Sequence, residues 1–219
     1  PVVASAVLPI HGRDITLVNK ADAAQAEIRM GHGMIERKNP DYVAVMIANT
    51  ILGQGFSSRL MEDIRVRQGL TYNISSDLDM RLEGSGFKIR TFTKNESAGK
   101  TISEIYKTYE NFHKNGVTQQ ELDVAKQYLI GKFPMLIETP EKFAFNLMIL
   151  KLFNVPEDYL KNYQQNVGGV TLKKVNDVIQ KYFDPNDLKI VIVANKAKVE
   201  TQLKGLGNLT TKDANQFLK

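Results

Sequence analysis

Three histidines, no cysteine and one arginine–tyrosine pair bound the chemistry open to this 219-residue chain. His11, His32 and His113 lie too far apart for a His-x-x-His or His-x-x-Glu-His metal motif. The lack of cysteine excludes disulfides, thiolate zinc sites, iron–sulfur clusters and cysteine nucleophiles. His32 falls in the apolar phase of a strand-like segment, where a lone histidine is more often a partly buried, hydrogen-bonded residue than a ligand. His113 lies near a helix C-terminus, where it favours the dipole, and His11 lies near the start of the chain. A zinc site made by this chain alone would need residues converging from distant segments, whereas closed zinc sites usually show local ligand pairs.

Two other clusters carry polar chemistry. In Gly53-Gln54-Gly55-Phe56-Ser57-Ser58-Arg59 a glycine turn leads into a helix, the arrangement that cradles phosphate on free N–H groups. It lacks the Gly-Lys-Ser/Thr ending, and a helix precedes it where a nucleotide loop follows a strand. It reads as a tight helix–helix corner whose glycines supply positive φ. Further on, Arg65 flanks the stripe of a helix and Tyr72 lies three residues past Gly69 in a strand. If helix and strand pack together, a guanidinium and a phenol project to one place and donate to a carbonyl or carboxylate. From spacing alone the plainer reading is preferred. Tyr72 shares the phase of Leu70 and Ile74 and would be core, and Arg65 would pair with a surface carboxylate.

The elements that would position these residues are legible from periodicity. Ile15 to Asn19 is a short apolar strand, and Ala24 to Met34 alternates with period two. Asn39-Pro40 opens a helix over Asp41 to Leu52 that is apolar on every side, hence deeply buried. Ser57 or Ser58 is expected to cap the next helix, striped by Leu60, Met61 and Ile64 and stopped at Gly69. A strand from Leu70 to Met80, a turn at Glu83-Gly84 and a partner strand from Gly86 to Thr93 follow. Ile102, Ile105, Tyr106, Tyr109 and Phe112 mark a helix ended by Asn115-Gly116. Thr118-x-x-Glu121 is a capping box, and Thr139-Pro140, Pro156-Glu157 and Thr171 start further helices. Leu188 to Ala194 is a last strand, with a short helix near Val199 to Leu203. Strands and helices do not alternate strictly. The expected fold is therefore α+β, a largely antiparallel sheet with helices packed on one face. Residues 1–219 form a single domain in this reading, with 1–12 and 208–219 as flexible ends.

Composition is that of a globular chain: 42% hydrophobic, 24% charged and a net charge of +5 from 29 basic and 24 acidic residues. The bases are interspersed with acids and form no dense stripe, which argues against a nucleic-acid partner. No window is apolar enough for a transmembrane segment. The chain starts at Pro1, which suggests a removed leader or a segment of a longer protein.

The runs Gln25-Ala-Glu-Ile-Arg-Met-Gly-His32, Pro40-Asp-Tyr42 and Asn49 through Gly53-Gln-Gly-Phe-Ser-Ser-Arg59 to Arg65-Val-Arg-Gln-Gly-Leu-Thr-Tyr72 resemble the pitrilysin/insulinase-type zinc metallopeptidases. That family includes the mitochondrial processing peptidase and its bacterial relatives. Gly84-Ser-Gly-Phe87, Gly116-Val-Thr118, Ala125-Lys126 and Pro185 to Ala194 continue the likeness across about residues 13–207. The resemblance implies the noncatalytic partner domain, which lacks His-x-x-Glu-His and closes over substrate opposite a homologous zinc-binding domain or subunit. It implies that Arg65 and Tyr72 reach the peptide substrate, that this chain holds no metal or cofactor, and that zinc is supplied by the partner. A noncatalytic scaffold subunit of the same fold, or a stand-alone peptide-binding module, are the rival readings. The sequence departs from many relatives at Gln54, where they have glycine, and at Gln68, where they have a basic residue.

Overall fold

The structure is a computed structural model that describes residues 12–81 and 84–217. Its centre is a six-stranded sheet in the order β3-β4-β2-β5-β1-β6. The strands are β1 (Asp14–Asn19), β2 (Gln25–Gly33), β3 (Ile74–Asp79), β4 (Gly86–Lys94), β5 (Lys189–Ala194) and β6 (Asn208–Asp213). From β3 through β5 every pairing is antiparallel, and β1 lies parallel to both β5 and β6. The fold is thus α+β with a mixed sheet.

Period-two alternation puts one face of this sheet into the core. Ala26, Ile28, Met30 and His32 of β2, Phe87 and Ile89 of β4, and Ile190 and Ile192 of β5 are buried. Between them Glu27, Arg29, Arg90 and Val191 stand exposed on the opposite face. The helices cover the apolar face: α1 (Tyr42–Gly53), α2 (Ala98–Asn115), α3 (Gln119–Ile137), α4 (Pro140–Leu152), α5 (Asp158–Lys161), α6 (Tyr163–Gly168), α7 (Leu172–Tyr182) and α8 (Lys196–Val199). α1 is buried nearly all round, as its apolar composition requires. α2 buries Ile102, Ile105, Tyr106, Tyr109 and Phe112, the periodic set. The capping box forms at Thr118 and Glu121, and Pro140 opens α4 with Thr139 as its cap.

Three expectations are corrected. Residues 208–213, read as part of a loose end, add β6 beside β1. Asn208-Leu-Thr-Thr-Lys-Asp213 carries a single apolar residue, so hydropathy gave no strand signal, and polar edge strands of this kind resist further pairing. The strand expected from Leu70 begins only at Ile74, because buried threonines of β4 take over the pairing of the preceding arm. Thr93 Oγ1 donates to the Leu70 carbonyl at 2.6 Å, and Thr91 Oγ1 donates to the Asn73 carbonyl at 2.9 Å. The helix after the glycine corner is a π-helix over Met61–Arg67 and has no side-chain cap. Ser58 instead donates its hydroxyl to the Gly55 carbonyl at 2.9 Å. Of the residues expected in turns and loose ends, Glu83, 1–11 and 218–219 lie outside the described residues.

Asp41, at the start of α1, ties that helix to α7. It is 8% exposed, forms an ion pair with Lys174, and accepts from the Tyr182 hydroxyl at 2.6 Å. The Lys174 and Tyr182 hydrogen bonds hold its carboxyl at about 2, below the ordinary 3.8. A depressed carboxylate stabilises the fold fully above its unfolded value and loses that contribution as pH falls through the folded value. Asp41→Asn is therefore expected to lower the melting temperature at neutral pH. The gap to the native chain should close between about pH 4 and pH 2 in a circular-dichroism series. Parallel melting curves down to that pH would show that the cluster contributes nothing.

Candidate arginine–tyrosine site

The site is built at the C-terminal end of α1. Gly55, at φ 84°, turns the chain in a conformation that side chains rarely adopt, and Phe56 emerges from that turn 80% exposed. The π-helix follows, anchored by buried Leu60, Met61 and Ile64. π-Helical turns are rare and tend to occur at functional sites. Gly69, at φ 60°, ends it, its N–H bonded to the Arg65 carbonyl at 3.0 Å. The arm held by Thr91 and Thr93 then carries Tyr72.

Tyr72 is 74% exposed, so the reading as core fails. The cause is the arm itself. Thr71 turns inward and its hydroxyl accepts from the Asn73 N–H at 3.2 Å, which breaks the alternation that put Tyr72 in phase with Ile74. The Arg65 guanidinium carbon lies 4.8 Å from the centre of the Tyr72 ring and 5.7 Å from that of Phe56. This is cation–π geometry on two rings.

The expected surface carboxylate for Arg65 is absent among the described residues. Nearby acids are engaged elsewhere: Arg67 contacts Glu62 and Asp63, each at 3.2 Å, and Thr108 donates to Asp63 at 2.9 Å. Arg65 therefore presents guanidinium donors, and Tyr72 a phenol, to whatever lies outside. Both groups donate to a carbonyl or carboxylate oxygen. Behind Phe56 a cavity of about 340 Å³ opens between the corner and α3, with Gln54, Glu121, Val124 and Tyr128 in its walls.

The residue the sequence did not single out is Arg59. Its Nε and Nη2 donate to the two carboxylate oxygens of Glu121 at 2.6 and 2.9 Å, and Nη2 also reaches the Gly116 carbonyl at 2.8 Å. The guanidinium lies 5.5 Å from the centre of the Phe112 ring. This clamp fixes the corner to the start of α3. Burial alone would raise the Glu121 carboxyl, but the Arg59 and Thr118 hydrogen bonds outweigh it and hold it below the ordinary range. Thr118-x-x-Glu121 was visible as a capping box, but nothing local pairs Glu121 with an arginine 62 positions earlier.

The two described histidines, His32 and His113, share no hydrogen-bond partner. His32 is 9% exposed; Nδ1 lies 2.7 Å from the Gly33 carbonyl and Nε2 lies 2.8 Å from the Tyr109 hydroxyl. A carbonyl only accepts, so Nδ1 carries the proton and Nε2 accepts from Tyr109. Burial pushes the imidazole below its usual value, which keeps it neutral. Both nitrogens are thus engaged within the fold. His113 sits in the last turn of α2, its carbonyl accepting from Gln180, and His11 lies outside the described residues. Among the described residues no three histidine, aspartate or glutamate side chains are grouped as a metal site would need. No described helix is long and apolar enough to cross a membrane.

The family model described as Peptidase M16 inactive domain matches residues 4–129. A protein of Helicobacter pylori named "Non-peptidase homolog YmxG" is 32% identical over 181 residues, 81% of this chain and 41% of that protein. An uncharacterized zinc protease of Bacillus subtilis is 22% identical over 167 residues, 76% of this chain and 41% of its own length. Among solved structures, a peptidase M16 inactive domain from Pseudomonas fluorescens superposes with a TM-score of 0.77 at 28% identity, covering 83% of this chain and 43% of that one. A protease from Helicobacter pylori superposes with a TM-score of 0.76 at 23% identity, over 89% and 47% of the two chains. This chain thus spans about two fifths of the length of these curated relatives.

Proposed function

The chain belongs to the peptidase M16 inactive-domain family, the noncatalytic half of a zinc-protease family, and on that premise we propose that it is the substrate-binding half of a zinc metalloendopeptidase. The observation that carries the reading is the Arg65–Tyr72 pair, an exposed phenol and a half-buried guanidinium preorganised by stacking and without a hydrogen-bond or ion-pair partner among the described residues. The homologous partner domain or subunit closes over an extended peptide, and zinc, when bound there, supplies the activated water. This chain's part is to hold the peptide and to donate from Arg65 and Tyr72 to its carbonyl oxygen as charge develops there. β3 is an edge strand joined to the arm that bears Tyr72, and its free edge suits an extended peptide added as a further strand.

The exposed apolar surface of α3 and α4 supports assembly with a partner. α4 is rich in apolar residues, yet Leu150 is its only buried residue. Phe145, Met148 and Leu152 are 57%, 53% and 50% exposed, beside Met135 of α3 at 58%. Exposed apolar patches of this kind mark protein contacts.

The test is complementation. The chain alone is expected to bind no zinc at a 1:1 ratio after dialysis and to cleave no peptide. Mixed with a zinc-bearing half of the same family, it should restore cleavage of an unstructured peptide that neither half cleaves by itself. Stoichiometric zinc on this chain, or the same low cleavage with and without it, would overturn the reading. A noncatalytic scaffold is the second reading, favoured by the name of the 32%-identical Helicobacter pylori relative. A scaffold would associate with its partner yet leave peptide cleavage indifferent to Arg65 and Tyr72.

A further inference from the structure

At the other end of α1 a second pocket, of about 350 Å³, lies between the β2–α1 loop, the first turn of α1, and the segment from Val155 to Val170. About 18 Å of helix separates it from the glycine corner, since α1 has twelve residues. Arg37 lies against its aromatic wall. The guanidinium carbon is 5.6 Å from the centre of the Tyr42 ring and 5.8 Å from that of Tyr159. Arg37 Nε is buried and has no hydrogen-bond partner among the described residues. Buried polar atoms are nearly always satisfied, so an orphaned guanidinium nitrogen beside a cavity points to a ligand acceptor.

The charges around the pocket select the ligand. Lys38 pairs with Glu36 at 3.0 Å, and Lys174 pairs with Asp41. Burial pushes the phenols of Tyr42 and Tyr159 above their ordinary value, with Arg37 pulling the other way, so both are neutral at pH 7. Arg37 has no ion-pair partner among the described residues, whereas Lys174 shares Asp41 with Lys181. A single guanidinium against the pocket fits one carboxylate. The fork of the guanidinium matches a planar carboxylate, and Asn166, which lines the pocket, carries an amide that can donate as well. Val43, Val155, Pro156 and Val170 join the two rings as its apolar wall, and Lys38, Asn39 and Lys174 line the remainder. The volume is at the small end for ligand sites, room for about one amino-acid residue.

We propose that this pocket binds the free C-terminal carboxylate of a peptide whose last side chain is apolar, with Arg37 taking the carboxylate and Tyr42 and Tyr159 packing against the side chain. The inference does not rest on the zinc-half reading, because the site lies at the opposite end of α1 from Arg65 and Tyr72.

The probes are N-acetylphenylalanine, its C-terminal amide and inorganic phosphate, titrated into the full 219-residue chain by calorimetry or protein-observed NMR. The acid should bind at least about tenfold more tightly than the amide, the difference expected of a charge-assisted hydrogen bond to a half-buried guanidinium. Its shifts should centre on Arg37, Tyr42 and Asn166. Arg37→Gln should abolish the preference for the acid, and Arg37→Lys should keep part of it, since lysine retains the charge without the fork. If Arg37→Gln fails to fold, Asn166→Asp leaves the guanidinium in place and sets a like charge beside the ligand; it should weaken the acid and spare the amide. Equal binding of acid and amide, a preference unmoved by both variants, or no binding of either would overturn the proposal. Phosphate binding more tightly than the acid would also overturn it, reassigning the pocket to a phosphate ligand. None of these outcomes touches the complementation test, so the two proposals fail separately.

Discussion

On the proposed substrate-binding role, Arg65→Ala and Tyr72→Phe are each expected to cut turnover with a zinc-bearing half by about a hundredfold, close to 3 kcal/mol of transition-state stabilisation, while KM changes little. The argument starts from exposure. Tyr72 stands 74% exposed, and Arg65 is half-buried with no ion-pair partner among the described residues and with its cation–π contacts on the exposed rings of Phe56 and Tyr72, so neither substitution opens the core. Melting temperatures should therefore stay within a degree or two of the native chain's, since surface changes usually cost under about 0.5 kcal/mol. Tyr72→Phe is the cleaner variant. It keeps the ring that Arg65 stacks on and removes only the hydroxyl. Arg65→Lys should recover little, because an ammonium lacks the planar fork that stacks and donates in two directions. The double variant should lose less than the product of the single losses, since each residue orients the other across 4.8 Å. Near-native turnover in both single variants would sink the role and leave the scaffold reading standing. A rise in KM with unchanged kcat would reassign the pair to ground-state peptide binding.

How far the sequence speaks is seen by comparing His32, Tyr72 and β6. His32 was readable because one rule governs it: period-two alternation put it inward, and a lone inward histidine needs hydrogen bonds, which Gly33 and Tyr109 provide. The burial of α1, the α2 stripe and the capping box at Thr118 were readable for the same reason, each being a local pattern with a local cause. Tyr72 was misread by spacing alone because its orientation is set from elsewhere. Thr91 and Thr93, about twenty residues on, hold the arm out of register. The family likeness supplied the pairing with Arg65 that periodicity could not. β6 was missed because its stability comes from β1, nearly two hundred positions earlier, through backbone pairing that leaves no hydropathic trace. The Arg37 pocket has the same origin: its walls come from the β2–α1 loop and from residues more than a hundred positions later.

Arg59→Ala should have the largest effect on stability among changes near the site, about 2–3 kcal/mol, or roughly 5–10 °C in melting temperature for a chain of this length. Arg59 satisfies three acceptor atoms at once: both oxygens of Glu121 and the Gly116 carbonyl. Its side chain is 19% exposed and that of Glu121 29%, so removing the guanidinium strands a half-desolvated carboxylate at the start of α3. The figure is set below the full cost of breaking a buried pair because water still reaches both groups. Arg59→Lys should restore less than half of the loss, since one ammonium cannot span both carboxylate oxygens and a carbonyl in this bidentate geometry. Arg59→Ala combined with Glu121→Ala should destabilise by clearly less than the sum of the two, because either change alone already dissolves the pair. Circular-dichroism melts of the native chain and the four variants measure all of this. Strict additivity, or a lysine variant as stable as the native chain, would show that the clamp is an ordinary surface contact. If the clamp holds the corner, the same melts should correlate with activity in the assembled enzyme. Arg59 touches neither Phe56 nor Tyr72 by any contact described above, yet the chain it fixes runs directly into the π-helix that aims Arg65.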